Sequence, residues 1–212
     1  MTKITRLFPL GLASGLCVIL ALPALGQEEN AGEAEIARAA FEAAYAEECS
    51  WSLGGSPDMA EPERFEFSYR YEFDDAEMPD RSYRLYRFFC SQGAYNQNHV
   101  YFAAEDDTGI VPVQFAVPAF DVVYEDDDER DGAVEAITVT GFHAQATLTN
   151  SEIDEGAGTI TSYGLWRGLG DAFSSGTWVF AEGRFVLVRF EVDASYDGEV
   201  TPETLVDYTG LR

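Results

Sequence analysis

Between Gly176 and Asp193 the chain reads GTWVFAEGRFVLVRFEVD: two runs of β-branched and aromatic residues on either side of Glu182-Gly183. This pattern predicts a β-hairpin. Alternation puts Val186, Val188, Phe190 and Val192 on one face of the second strand, and Phe185 and Leu187 on the other. Apolar residues on both faces predict a hairpin in the middle of the fold, covered on each side. Two registers stay open. A two-residue loop pairs Phe180 with Phe185, whereas a three-residue loop with a left-handed Gly183 pairs Phe180 with Arg184.

Upstream, Asn30-x-x-Glu33 has the form of a capping box and predicts a helix over about 31–48 after a loose 27–32. Ile36, Ala40 and Ala44, with Phe41 and Tyr45, give that helix an apolar stripe suited to docking. Ser52 to Glu63 reads as a loop. Phe65, Phe67, Tyr69, Tyr71 and Phe73 then alternate with Glu66, Ser68, Arg70 and Glu72, the pattern of a half-buried strand. A turn over Asp74 to Asp80 leads to strands at Arg81–Cys90 and His99–Ala104, joined by the polar stretch Gly93 to Asn98. Val111 to Val123 is extended, but Pro112 and Pro118 confine it to an edge or an irregular path. After the charged loop Glu125 to Asp131 come a strand at Ala133–Phe142, which Ala144 to Leu148 extends, a turn at Ile153–Gly158 and a strand at Thr159–Trp166. The glycine-rich Arg167 to Ser175 enters the hairpin. Thr201-Pro202-Glu203 predicts one helical turn in the tail. The fold class expected is mainly β, an antiparallel sandwich or barrel-like sheet with one N-terminal helix, in a single domain over 33–212.

The first 26 residues change the picture of where the protein acts. Lys3 and Arg6 precede the apolar run Leu7–Leu22, and Pro23-Ala24-Leu25-Gly26 places small residues before a cut at Gln27, as in a secretory signal. An uncleaved anchor is the alternative, since about 20 apolar residues span a bilayer. Cys17 follows Leu16, which does not suit lipoprotein processing. A periplasmic or extracellular location is expected, with no stable membrane insertion after cleavage.

The signal holds two of the 13 basic residues and none of the 38 acids, so the mature chain carries a net charge of −27. Its cations are all Arg, Lys3 being the lone lysine, which excludes Schiff-base and Walker-lysine chemistry. Such a charge repels nucleic acid and anionic lipid and suits a basic protein partner. Two cysteines remain, Cys49 and Cys90. In an oxidising compartment they predict a disulfide closing a loop of about 40 residues, worth roughly 4 kcal/mol by the chain-entropy model; two buried thiols are the other possibility.

Four segments carry a family resemblance: Cys90-Ser91-Gln92-Gly93-Ala94-Tyr95-Asn96, Leu148-Thr149-Asn150 followed by Asp154, Arg167-Gly168-Leu169-Gly170-Asp171, and Trp178 to Leu187. In order and approximate spacing they resemble the C-terminal half of the bacterial secreted family called domain of unknown function 1176, across residues 80 to 200. That family often has a Cys after the Gly-Asp, paired with another past the last strand. Here Ala172 follows Asp171 and Ala194-Ser195 follow Asp193, so both partners are missing together. The resemblance implies export and a β-rich fold, and brings no activity with it.

Candidate chemistry is sparse. Asp127, Glu129 and Asp131 ahead of Gly132 have the spacing of an EF-hand loop, but Thr138 stands where a bidentate Glu is required, leaving at most a looser calcium site. Gly168-Leu169-Gly170 precedes a hairpin instead of a helix, so a phosphate loop is disfavoured, and Asp171 is expected to bond backbone amides. His99 and His143 lack zinc-ligand spacing, and Ser174-Ser175-Gly176 is no nucleophile elbow. No cofactor is expected. Tyr95, Asn96, Arg167 and Asp171 are the candidate binding residues, with Asn98 and Trp166 beside them as a saccharide- or peptide-binding rim. These observations favour an exported acidic β-domain that binds non-covalently or serves the envelope. The rivals are an acidic inhibitor or ligand of a basic envelope protein, and a carboxylate-dependent hydrolase using Asp171 or another acid.

Overall fold

A computed structural model describes residues 25–105, 109–125 and 133–211. The calcium candidates Asp127, Glu129 and Asp131 and most of the signal lie outside the described residues. The protein is mainly β, with antiparallel sheets and one main helix near the N-terminus. The first sheet has the order β1 (Glu63–Tyr69), β2 (Arg81–Gln92), β3 (Gln97–Glu105), β4 (Gly109–Pro112), with β7 (Thr147–Thr149) also paired to β3. A two-stranded ribbon joins β5 (Phe115–Tyr124) to β6 (Val134–Gln145). The second sheet runs β12 (Glu203–Asp207), β11 (Arg184–Asp193), β10 (Phe173–Ala181), β9 (Thr159–Leu165), β8 (Glu152–Asp154).

The main core lies where these sheets meet. Phe67, Tyr83, Leu85 and Tyr101 from the first sheet pack with Phe115 of the ribbon and Ile160, Trp178, Phe185, Leu187, Phe190 and Val192 of the second. Trp178 completes the junction by donating its indole N–H to the Ala116 carbonyl at 3.0 Å. A second core forms on the opposite face of the first sheet. There Ala37 and Phe41 of helix α1 (Leu25–Ala44) cover Tyr86, Phe88, Val100 and Phe102, and Phe41 stacks on Phe88 at 4.5 Å. The Cys49–Cys90 disulfide fastens this layer. Two-sided burial therefore belongs to β2 and β3, whose odd and even positions feed different cores.

The 176–193 hairpin forms in the two-residue register, with Phe180 opposite Phe185 and Ala181 opposite Arg184. Glu182 and Gly183 both have positive φ, 47° and 76°, as a type I′ turn requires. Tyr69 of the first sheet sits on this turn: a Cβ at Gly183 would lie 2.9 Å from its hydroxyl. The expected division of faces in β11 does not hold. A bulge opposite Thr177/Trp178 inserts Val188 into the strand, resets the alternation, and sends Phe185, Leu187, Phe190 and Val192 into one core.

Four other expectations need correction. The helix starts at Leu25, upstream of Asn30, and ends at Ala44; Glu33 accepts from Arg84 Nε (2.9 Å) and the Tyr86 hydroxyl (2.5 Å) instead of capping. The 52–63 stretch contains helix α2 (Ser50–Leu53) and a 3-10 turn at Pro57–Ala60. Strand β1 stops at Tyr69, because Arg70 turns its guanidinium onto the Asp75, Ala76 and Met78 carbonyls and closes a loop. The tail forms strand β12 against β11, with a 3-10 turn only at Thr209–Leu211, because Leu205 and Val206 gain more from the core than from a helical turn.

Candidate functional site

Three of the four motif segments, those at 90–96, 148–150 and 167–171, come together at one end of the sheets, whereas the turn of the 178–187 hairpin lies against Tyr69 at the other. Strands β2 and β3 deliver Tyr95 and Asn96 on their connecting turn, β7 ends at Asn150, and β9 runs into the Arg167–Asp171 loop. The Asn96 side chain donates to the Leu165 carbonyl (2.8 Å) and accepts from the Leu165 amide (3.1 Å). Asn150, at φ 43°, accepts from the Gln97 amide (2.8 Å) and donates to Asn96 Oδ1 (2.9 Å) and the Tyr163 carbonyl (2.9 Å). The Tyr95 ring rests on Gly168, where a Cβ would lie 3.2 Å from it. That approach accounts for this glycine.

Arg167 and Asp171 form a forked ion pair through both nitrogens of one guanidinium edge. Asp171 is only 2% exposed, and it also accepts from the Gly198 amide at 2.8 Å. Arg167 donates to the Tyr196 carbonyl at 2.7 Å and lies 5.2 Å from the centre of the Tyr196 ring. Trp166 stacks on Phe120. Asn98 bonds Ser91 and Thr149. The four candidate residues thus do share one region, but the polar groups of Asn96, Arg167 and Asp171 are engaged by backbone. They hold loops.

What they hold is the wall of a cleft. A cavity of about 560 Å³ is lined by Val134 and Ile137 of β6, Val192 and Asp193 of β11, and Ser195, Tyr196, Asp197, Thr201 and Glu203 beyond it. Buried Asp193 accepts from the Ser195 amide (3.1 Å), the Ser195 hydroxyl (2.7 Å) and the Thr201 amide (2.6 Å), pinning the 194–201 segment at both ends. Tyr124 adds a bond to the Ala194 carbonyl at 3.1 Å. Among the described residues the lining contains three carboxylates, hydroxyls and apolar carbons, and no cation. The volume falls within the range of small-ligand sites. Asn150 appears in sequence only within a segment of the family resemblance, without a role, and patterning does not single out this wall. The available signal was Asp193-x-Ser195, the form of a side-chain-capped turn.

A Ser–His contact lies elsewhere. Ser151 Oγ is 2.9 Å from His99 Nδ1 and accepts from the Tyr101 hydroxyl at 2.5 Å, while Arg87 donates to the Ser151 carbonyl at 2.7 Å. Burial, helped by the Arg87 charge and opposed by Glu63, holds the His99 pKa down to about 4. Burial pushes the Tyr101 phenol up to about 12. Ser151 is 5% exposed, so its hydroxyl belongs to an internal network. Among the described residues no group of three or more His, Cys, Asp or Glu is placed to hold a metal, and no helix is long and apolar enough to cross a membrane.

Stapled loops and an acid-lined cleft on antiparallel sheets define the class: a β-domain whose signature residues serve architecture. The chain belongs to the family described as protein of unknown function (DUF1176), which matches residues 59–199. The match reaches upstream of residue 80 to take in β1 and the loop after it. Comparison with curated proteins and with solved structures gave no match.

Proposed function

We propose that this protein is an exported binding domain whose cleft beside β6 and β11 takes a neutral or cationic ligand, a saccharide or a short peptide segment, without covalent chemistry. One observation carries the reading. The 194–203 wall is fixed in advance by Asp193 and by the Arg167–Asp171 pair, so ligand binding need not order it. The lining then offers Ser195, Thr201 and Tyr196 hydroxyls and the Asp197 and Glu203 carboxylates to a guest. The Asp193, Asp197 and Glu203 carboxylates of the lining repel anionic ligands. Asp171, on which a hydrolase reading leans, faces Arg167 and Gly198 instead of the cleft.

Export rests on the basic, apolar and small-residue order of the first 26 residues, with which the disulfide is compatible.

Two measurements test the reading. Titration of the 15N-labelled protein with N,N′-diacetylchitobiose and with the peptide Gly-Lys-Gly should move the amides of 133–137 and 192–203 with at least one probe, and Tyr196→Ala should weaken that response. Silence at millimolar concentrations of both rejects the cleft as a binding site. Mass spectrometry of the protein secreted by a bacterial host should give a chain beginning at Gln27 with oxidised Cys49 and Cys90. A retained signal rejects export by cleavage.

A further inference from the structure

The loop between β1 and β2 is built in an unusual way for a connection. An aromatic ladder climbs out of the core along it: Tyr69 packs on Phe180 (5.7 Å), Tyr71 meets Tyr69 edge-on (5.4 Å), and Phe73 stacks on Tyr71 with ring planes 7° apart. The ladder ends in water, with Phe73 82% exposed and Met78 45% exposed beside it. Burying such a ring is favourable, and here that gain is not taken.

The loop is nevertheless held firmly. Arg70 bonds three of its carbonyls and also Asp80 (2.8 Å). Arg81 forms a fork with Asp74 and lies 5.0 Å from the centre of the Tyr71 ring, and Asp74 in turn accepts from the Tyr71 amide. Both cations of the segment are therefore occupied. Glu72, Asp75 and Glu77 form no ion pair among the described residues and flank Phe73 in the sequence of the loop, adding net negative charge to it.

We propose that the 70–81 loop is a docking surface for a basic protein segment that also presents apolar side chains, with Phe73 as the anchor and Glu72, Asp75 and Glu77 as the charged rim. Charge decides the occupant. The acidic rim and the net charge of −25 oppose both a second copy of this chain and an anionic lipid surface. An exposed aromatic stacked on Tyr71 in an acidic loop suits a binding hot spot, and the fixed loop avoids an ordering cost on association. Nothing in this surface is shared with the cleft lining.

The test uses the full mature protein and two synthetic helical peptides of equal positive charge, one of Lys and Leu, the other of Lys and Ser. The Lys/Leu peptide should bind about tenfold or more tightly than the Lys/Ser peptide, in line with burial of one aromatic ring. Its amide shifts should centre on 70–81. Phe73→Ser should abolish the difference between the peptides, and Glu72→Gln/Asp75→Asn/Glu77→Gln should weaken both and flatten the salt dependence. Phe73→Ser removes only the solvent-facing stack on Tyr71, so a thermal midpoint within about 2 °C of the native one keeps the comparison valid; a larger drop makes Phe73 a folding residue and overturns the proposal. Equal affinity for the two peptides, or shifts spread over the whole acidic surface, overturns it as well. So does Phe73-dependent self-association in sedimentation, or Phe73-dependent binding to phosphatidylcholine vesicles.

Discussion

Asp171→Asn keeps the shape of the side chain and removes its charge. In the native protein the carboxylate accepts from Arg167 Nε at 2.6 Å, from a second Arg167 nitrogen, and from the Gly198 amide at 2.8 Å. The asparagine offers one acceptor oxygen for these donors and turns an NH₂ group towards one of them. Removing one member of a buried ion pair costs about 3–5 kcal/mol. Arg167 is 35% exposed and recovers some hydration, which sets the lower end of that range. Loss of one further backbone bond adds about 1 kcal/mol at most. The expected destabilisation is about 3–4 kcal/mol, or roughly 6–16 °C in the thermal midpoint of a domain this size. Calorimetry measures it directly. Arg167→Met should cost more, because it strands a carboxylate that is almost wholly buried. Hydrogen exchange adds a local readout: the Gly198 amide should lose protection, whereas the Thr201 amide, bonded to Asp193 at 2.6 Å, should keep it. A variant within 1 kcal/mol of the native protein, or an unchanged Gly198 amide, would refute the view that this pair positions the cleft wall.

Three other outcomes follow from the same coordinates. Gly176→Ala sets a Cβ 2.3 Å from the buried Trp178 ring, and overpacking should lower stability by about 3 kcal/mol, read from the urea midpoint. His99 has its folded pKa depressed to about 4 from 6.5, so folding is favoured above pH 6.5 and loses stability as pH falls towards 4. The part of that loss falling between pH 6.5 and 5, while the carboxylates stay ionised, is on the order of 1 kcal/mol after allowing for partial exposure of the ring, and should disappear in His99→Gln. Replacing both Cys49 and Cys90 by Ala opens a link across 41 residues of sequence and should cost about 4 kcal/mol in chemical denaturation.

Strand content and the position of the hairpin turn were readable as local pattern, since period-two alternation and Glu182-Gly183 encode their own geometry; the register stayed open between two loops, and the disulfide followed from the cysteine count and an oxidising compartment. Three features were not readable in this way. The bulge at Val188 is a tertiary choice: an unbroken strand would have divided Phe185 and Leu187 from Phe190 and Val192, and the shared core selects the reset. Tyr71 and Phe73 continue the alternation of β1, but Arg70 finds its partners in the carbonyls of the loop, which no pattern of side chains announces. Tyr95, Asn96, Arg167 and Asp171 lie in one region, but a residue type named from sequence does not carry its orientation. Sequence does not say whether an Asn or Asp faces a ligand or a backbone amide, and here Asn96 and Asp171 face backbone.

The family match stops short of two pieces that complete the molecule. Helix α1 lies before residue 59 and shields Tyr86, Phe88 and Phe102, while β12 lies after residue 199 and lays Val206 along β11. A protein trimmed to the matched interval would bare an oily slab on one side and leave a strand margin open for pairing on the other. Recombinant work on this family should therefore carry both flanks, or expect sticky, clumping material in place of a folded monomer.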